Sequence, residues 1–124
     1  MAGDQILLVE DNDRNMKLFR DVLQATGYRT LEAITGEDAI DLARAHGPAL
    51  VLMDVQLPGI DGVDTLARLR SDDRTAAIPV LAVTAQAMRG DRERFLDAGF
   101  DGYLAKPIDV DELLEVVHEH CGRA

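Results

Sequence analysis

The sequence predicts an α/β domain, a five-stranded parallel sheet in the order 2-1-3-4-5 wound on both faces by helices. Three observations lead there. Five apolar strand patterns alternate with five helical patterns across 124 residues, with no repeat and no low-complexity linker, as βαβ units require. The strands expected at residues 6–10, 50–54 and 80–84 open with unbroken apolar runs, which suits strands covered on both faces. Those at residues 30–33 and 102–106 are mixed and belong at the edges, and right-handed crossovers then favour the stated order.

Taken in order, Ile6-Leu7-Leu8-Val9 gives the first strand, which ends at Glu10-Asp11. The first helix follows Asn12-Asp13, either of which can cap it, and stops at Gly27. After the second strand, Thr35-Gly36-Glu37-Asp38 has a capping-box pattern, and its helix stops at Gly47-Pro48. Leu50-Val51-Leu52-Met53 leads to Asp54, and a third helix from near Gly62 is expected to place Val63, Leu66 and Ala67 on one face. Val80-Leu81-Ala82-Val83 ends at Thr84. A charged helix carrying Arg89, Asp91, Arg92, Glu93, Arg94 and Asp97 then runs to Gly99, a left-handed C-terminal position. The fifth strand ends at Lys106. Asp109 caps the last helix with Glu112 three residues on, Ile108 and Leu113 stand at staple positions, and the apolar stripe is Val110, Leu113, Leu114, Val117 and Cys121.

Length and composition narrow the class. The chain suffices for one domain, residues 1–124, and it ends soon after the last apolar stripe, so no output domain is expected. No apolar run approaches the roughly 20 residues of a membrane span, and no basic-then-apolar leader opens the chain. A lone cysteine excludes an internal disulfide and suits a reducing compartment, so the expected location is cytoplasmic. A net charge of −10 argues against nucleic acid and membrane surfaces as partners.

The predicted strand order reverses direction between strands one and three, and open α/β sheets bind ligands beyond the carboxyl ends of strands at such a point. Glu10, Asp11 and Asp54 fall there. An ionised carboxylate removed from water costs on the order of several kcal/mol unless it is paired or metal-bound. Three of them call for a hard divalent cation such as Mg²⁺, for which Mn²⁺ could substitute. Asp11 and Asp54 can ligate it, Glu10 can act through a water, and the backbone carbonyl of Gln56 is placed to add a ligand. Thr84 and Lys106, ending strands four and five, carry the hydroxyl and ammonium that would compensate phosphoryl oxygens on Asp54. An Asp nucleophile flanked by a metal and a Lys describes a phosphoryl-accepting site. Singly, each residue has a plainer reading as a cap, a turn residue or an ion-pair partner.

Val9-Glu10-Asp11-Asn12, Leu52-Met53-Asp54-Val55-Gln56-Leu57-Pro58-Gly59, Val83-Thr84-Ala85 and Lys106-Pro107 resemble the receiver domain of two-component response regulators, across essentially the whole chain. Asn15-Met16-Lys17-Leu18-Phe19 and Ala87-Met88-Arg89-Gly90-Asp91 are similar to DivK-like single-domain regulators. The resemblance implies a flavodoxin-like (βα)5 fold and a stand-alone phosphorylation switch. Asp54 would take a phosphoryl group from the phosphohistidine of a sensor histidine kinase or a phosphotransfer protein, or from a small phosphodonor, without turning over an outside substrate. Glu10, Asp11, Asp54 and the Gln56 carbonyl would hold Mg²⁺, and Thr84 and Lys106 would contact the phosphoryl oxygens. Lys106-Pro107 would be a cis peptide. Tyr103 matches the family's switch aromatic, drawn inward with Thr84, and the downstream target would dock on helix four, strand five and helix five. Glu10 stands where many receivers have Asp, and Gln56 and Gln86 match positions that tune phosphoryl loss.

The rival reading, a haloacid-dehalogenase-type Mg²⁺ phosphatase, needs an Asp two residues after the nucleophile, where this chain has Gln56. A flavodoxin would need a Ser/Thr/Gly-rich phosphate loop after the first strand. His118 and His120, two apart on a helix, point to different faces; they are expected to supply favourable charge at a helix C-terminus.

Overall fold

The computed structural model of the protein describes residues 4–85 and 91–121. In chain order its elements are β1 (Gln5–Val9), α1 (Asp13–Ala25), β2 (Arg29–Ala33), α2 (Gly36–His46), β3 (Leu50–Asp54), α3 (Gly62–Arg70), β4 (Val80–Thr84), α4 (Asp91–Ala98), β5 (Gly102–Ala105) and α5 (Val110–Cys121). The strands form one sheet in the order β2-β1-β3-β4-β5, every neighbouring pair parallel. The sequence expectation of the order and of the two edge strands holds. Among the described residues no helix is long and apolar enough to cross a membrane.

Strand alternation sorts the core into two layers. Leu7, Val9, Val51, Met53, Val80 and Ala82 face α2, α3 and α4 through Ile40, Leu66, Leu69 and Phe95. Ile6, Leu8, Leu50, Leu52, Leu81, Val83 and Leu104 face α1 and α5 through Phe19, Leu23, Leu113 and Val117. Continuing the alternation past the strand ends puts Glu10, Asp54 and Lys106 in register with the α1/α5 layer. Thr84 falls in register with Val80 and Ala82, in the other layer, and Tyr103 packs there.

Capping follows the sequence in most places. Asn12, not Asp13, caps α1: its Oδ1 accepts the N–H groups of Arg14 and Asn15 at 3.0 and 3.1 Å. Thr35 and Asp109 accept the N–H groups of Asp38 and Glu112, and positive φ marks Gly27, Gly47 and Gly99.

Two helical faces depart from expectation. On α3 the buried residues are Gly62, Thr65, Leu66 and Leu69, while Val63 and Ala67 are exposed. Thr65 can occupy the interior because its hydroxyl donates to the Asp61 carbonyl at 2.7 Å, and Gly36 of α2 lies against it with no room for a side chain. On α5, Leu113 and Val117 are buried, Leu114 and Cys121 are half-buried, and Val110, in the first turn beyond the core's edge, stays 39% exposed.

The pole of the sheet opposite the strand carboxyl ends has its own polar links. Arg70 donates to the carbonyls of Ala76, Ile78 and Gly99 and to Asp101 Oδ2, which also accepts the Val80 N–H at 2.8 Å. Tyr28 and His118 share a 2.5 Å hydrogen bond, while His120 meets the Val116 carbonyl through Nδ1. The two histidines do face different ways, and His118 gains a specific partner that sequence reasoning did not supply.

Gly62 decides how closely α3 approaches β3. A Cβ there would lie 2.7 Å from the Asp54 carbonyl oxygen and 2.8 Å from Val55 Cα, both backbone atoms with no rotamer to yield. Gly62→Ala is expected to destabilise the protein by about 1–3 kcal/mol, read as a lower urea midpoint at unchanged m-value. An unchanged midpoint would show that the loop shifts freely.

Candidate functional site

The carboxyl ends of β1, β3, β4 and β5 bring the predicted residues to one rim. Glu10 continues β1, its N–H donating to the Ala33 carbonyl at 3.0 Å, and Lys106 continues β5 through the Thr84 carbonyl at 2.8 Å. Glu10, Asp54 and Thr84 are nearly sealed, at 1, 5 and 2% exposure, while Asp11 is exposed. The Lys106–Pro107 peptide is cis.

Lys106 Nζ lies 3.0 Å from Asp54 Oδ2 and 3.1 Å from Glu10 Oε1. Its hydrogen bond to Glu10 runs to the other oxygen, Oε2, at 3.4 Å. That oxygen also accepts the Asn12 N–H at 3.2 Å. Asp54 Oδ1 accepts the backbone N–H of Gln56 at 2.9 Å, which fixes the carboxylate plane. Oε1 of Glu10, though close to the ammonium, is a buried carboxylate oxygen without a hydrogen bond.

One ammonium among three acids leaves electrostatic work undone. Burial pushes the Glu10 carboxyl up from 4.5 to about 7, the hydrogen bond and charge of Asp54 add to the rise, and Lys106 opposes it. For Lys106, burial works against the charged form, but hydrogen bonds and charge from Asp54 and Glu10 outweigh it and raise its pKa. Glu10, Asp11 and Asp54 each offer an oxygen within 4.8 Å of the others. A dense oxygen-only donor set with an orphaned buried oxygen fits a hard divalent cation, which would supply the positive charge that Lys106 alone does not.

Thr84 sits at the rim in register with Ala105, and Tyr103, two residues earlier on β5, is half-buried. Tyr103 stacks on Phe95 at 6.1 Å, Phe95 meets Phe100 edge-on at 5.9 Å, and the Arg94 guanidinium lies 4.8 Å above the Phe95 ring. Sequence reasoning passed over this platform, although Phe95 is the one aromatic residue of a helix in which five of eight residues are charged and was the available signal. It also missed the backbone donors of Asn12 and Gln56, which leave no sequence trace because any non-proline residue carries them. Gln86, Ala87, Met88, Arg89 and Gly90 lie outside the described residues.

In the presence of a chelator the rim is expected to carry a definite pH signature. Glu10 binds its proton more tightly folded than unfolded, so its contribution is fully present below pH 4.5 and is lost as pH rises through about 7. In EDTA, wild-type melting temperature is expected to fall between pH 5 and 8 relative to Glu10→Gln, which cannot ionise. Parallel pH profiles for the two proteins, followed by circular dichroism, would remove Glu10 as the strained acid.

Residues 6–118 match the family described as the response regulator receiver domain. The polar-differentiation response regulator DivK of Brucella anthropi is 47% identical over 119 residues, 96% of this chain and 97% of that protein. DivK of Brucella ovis is 46% identical over the same shares. Among solved structures, the receiver domain of the sensor histidine kinase PA1611 from Pseudomonas aeruginosa superposes with a TM-score of 0.90 at 37% identity. It spans 98% of this chain and all of that one, and carries a magnesium ion coordinated in its active-site cleft.

Proposed function

Because the chain belongs to the response regulator receiver family and serves two-component phosphorelay signalling, we propose that Asp54 is its phosphoacceptor and that it works as a stand-alone switch. The observation that carries this is the shared ammonium, with Lys106 Nζ at 3.0 Å from Asp54 Oδ2 in a nearly sealed acidic rim. The match to DivK over nearly all of that protein supports reading this receiver as a switch of the same kind.

In this reading an Asp54 carboxylate oxygen attacks the phosphorus of a phosphohistidine. The O–P bond forms as the P–N bond breaks, and the imidazole leaves with the bonding electron pair. The Gln56 N–H holds the carboxylate plane for attack, and Lys106 and the Thr84 hydroxyl receive the phosphoryl oxygens. Glu10, Asp11, Asp54 and the Gln56 carbonyl would hold Mg²⁺, with Mn²⁺ as a substitute; the ion supplies charge neutralisation where phosphoryl oxygens gather. Donors are a sensor histidine kinase or a phosphotransfer protein, and the acyl phosphate is lost by self-hydrolysis, so no outside substrate is turned over.

The phosphoryl group carries roughly −1.5 to −2 charge but replaces the charge of the carboxylate it esterifies, so Asp54 gains about one negative charge, now spread over three outer oxygens. Movement of Thr84 toward it would free volume beside Tyr103, whose ring rests on Phe95 of α4. The α4, β5 and α5 face is thereby the surface on which a downstream protein reads the state, a population shift between two conformations. Protein partners in the cytoplasm, with neither nucleic acid nor membrane, complete the reading.

Incubation with Mg²⁺ and acetyl phosphate tests it. Intact-mass spectrometry should show one added phosphoryl group on wild type, none on Asp54→Asn or in EDTA, and a rate lower by on the order of 10²-fold for Lys106→Ala. Equal labelling of wild type and Asp54→Asn would refute the assignment. Beryllofluoride, added with Mg²⁺, should move amide resonances around Tyr103 and Phe95; a silent platform would sever it from the switch.

A further inference from the structure

Asp11 is the exposed member of the acidic trio. Its two sequence neighbours are both anchored, and the anchors meet in Asn12. The Asn12 backbone N–H donates to Glu10 Oε2 at 3.2 Å. Its side-chain Oδ1 accepts the N–H groups of Arg14 and Asn15, and its carbonyl accepts the Met16 N–H at 2.9 Å. The residue is extended, with φ −92° and ψ 120°. In this conformation its N–H turns back toward the strand while its side chain grips the first turn of α1. The turn carrying Asp11 is therefore clamped between a buried carboxylate and a helix terminus.

We infer that Asn12 is a positioning residue for the metal pocket: its side-chain cap holds the Glu10-Asp11 turn in the geometry that binds the cation. Most residues can supply the N–H to Glu10, but only a capping side chain fixes the backbone that aims it. A metal-ligating carboxylate depends on such supporting bonds, and their loss weakens metal binding without removing any ligand. The inference rests on reading Glu10, Asp11 and Asp54 as the metal ligands.

Isothermal titration of Mg²⁺ into wild type, Asn12→Ala, Asn12→Ser and Thr35→Ala separates this role from general stability. Thr35 caps α2 on the edge-strand side of the fold and serves as a matched loss of a cap. Asn12→Ala is expected to weaken Mg²⁺ binding by about five- to tenfold. Asn12→Ser restores it, and Thr35→Ala lowers the urea midpoint in EDTA but leaves Mg²⁺ affinity alone. Unchanged affinity in Asn12→Ala, failure of Ser to rescue, or an equal loss in Thr35→Ala would each overturn the positioning role while leaving the metal site standing. Absence of Mg²⁺ uptake by wild type would instead remove the metal reading itself, and with it this inference.

Discussion

Two carboxylates, Glu10 and Asp54, end neighbouring strands of a dry sheet, and the single ammonium of Lys106 lies within 3.1 Å of both. Attraction between charges at that distance is strong wherever water is excluded, and so is the repulsion between the acids. One cation cannot satisfy two anions, and the imbalance appears as an acid held near neutrality and an oxygen with no hydrogen bond. Everything else about the rim follows from tolerating that arrangement. Backbone donors from Asn12 and Gln56 fix the two carboxylates, and an exposed third acid completes a set suited to a hard cation.

The fold accepts this cost because its remaining surfaces agree with one another. Both layers of the sheet are filled by side chains that the strand alternation assigns unambiguously. Close approaches are secured by residues chosen for absence of bulk, Gly36 against Thr65 and Gly62 against the backbone of Asp54 and Val55. The far pole is held by Arg70 and Asp101, whose hydrogen bonds join the end of α3, the start of β4 and the end of α4. A destabilised rim thus stands on a scaffold braced at its other end, as binding sites commonly do.

Much of this was legible in the residues themselves. Unbroken apolar runs at Ile6, Leu50 and Val80 marked the central strands, and topology placed Glu10, Asp11 and Asp54 together before any motif was considered. What escaped were contacts whose information does not reside in residue type. The Asn12 and Gln56 donors are main-chain groups, and Thr65 reads as polar until its hydroxyl is seen bonded within its own helix. Val63 and Ala67 fit an apolar stripe by spacing, yet α3 rolls so that Gly62 and Thr65 face α2 and β3 instead. Long-range pairs such as Tyr28 with His118 join segments ninety positions apart and leave no periodic trace.

The two-residue alternation of the strands has one further consequence. Glu10, Asp54 and Lys106 share a side of the sheet with α1 and α5, whereas Thr84 and Tyr103 belong with α2, α3 and α4. The strand residues between them are buried, so the sheet separates the two groups, and Thr84 stands at its upper edge. A single residue inserted into β4 would turn Thr84 to the acidic side and put Val83 in its place. Every β4 side chain beyond the insertion would change layers with it, so the position above Ala82 would present an isopropyl group where a hydroxyl now stands.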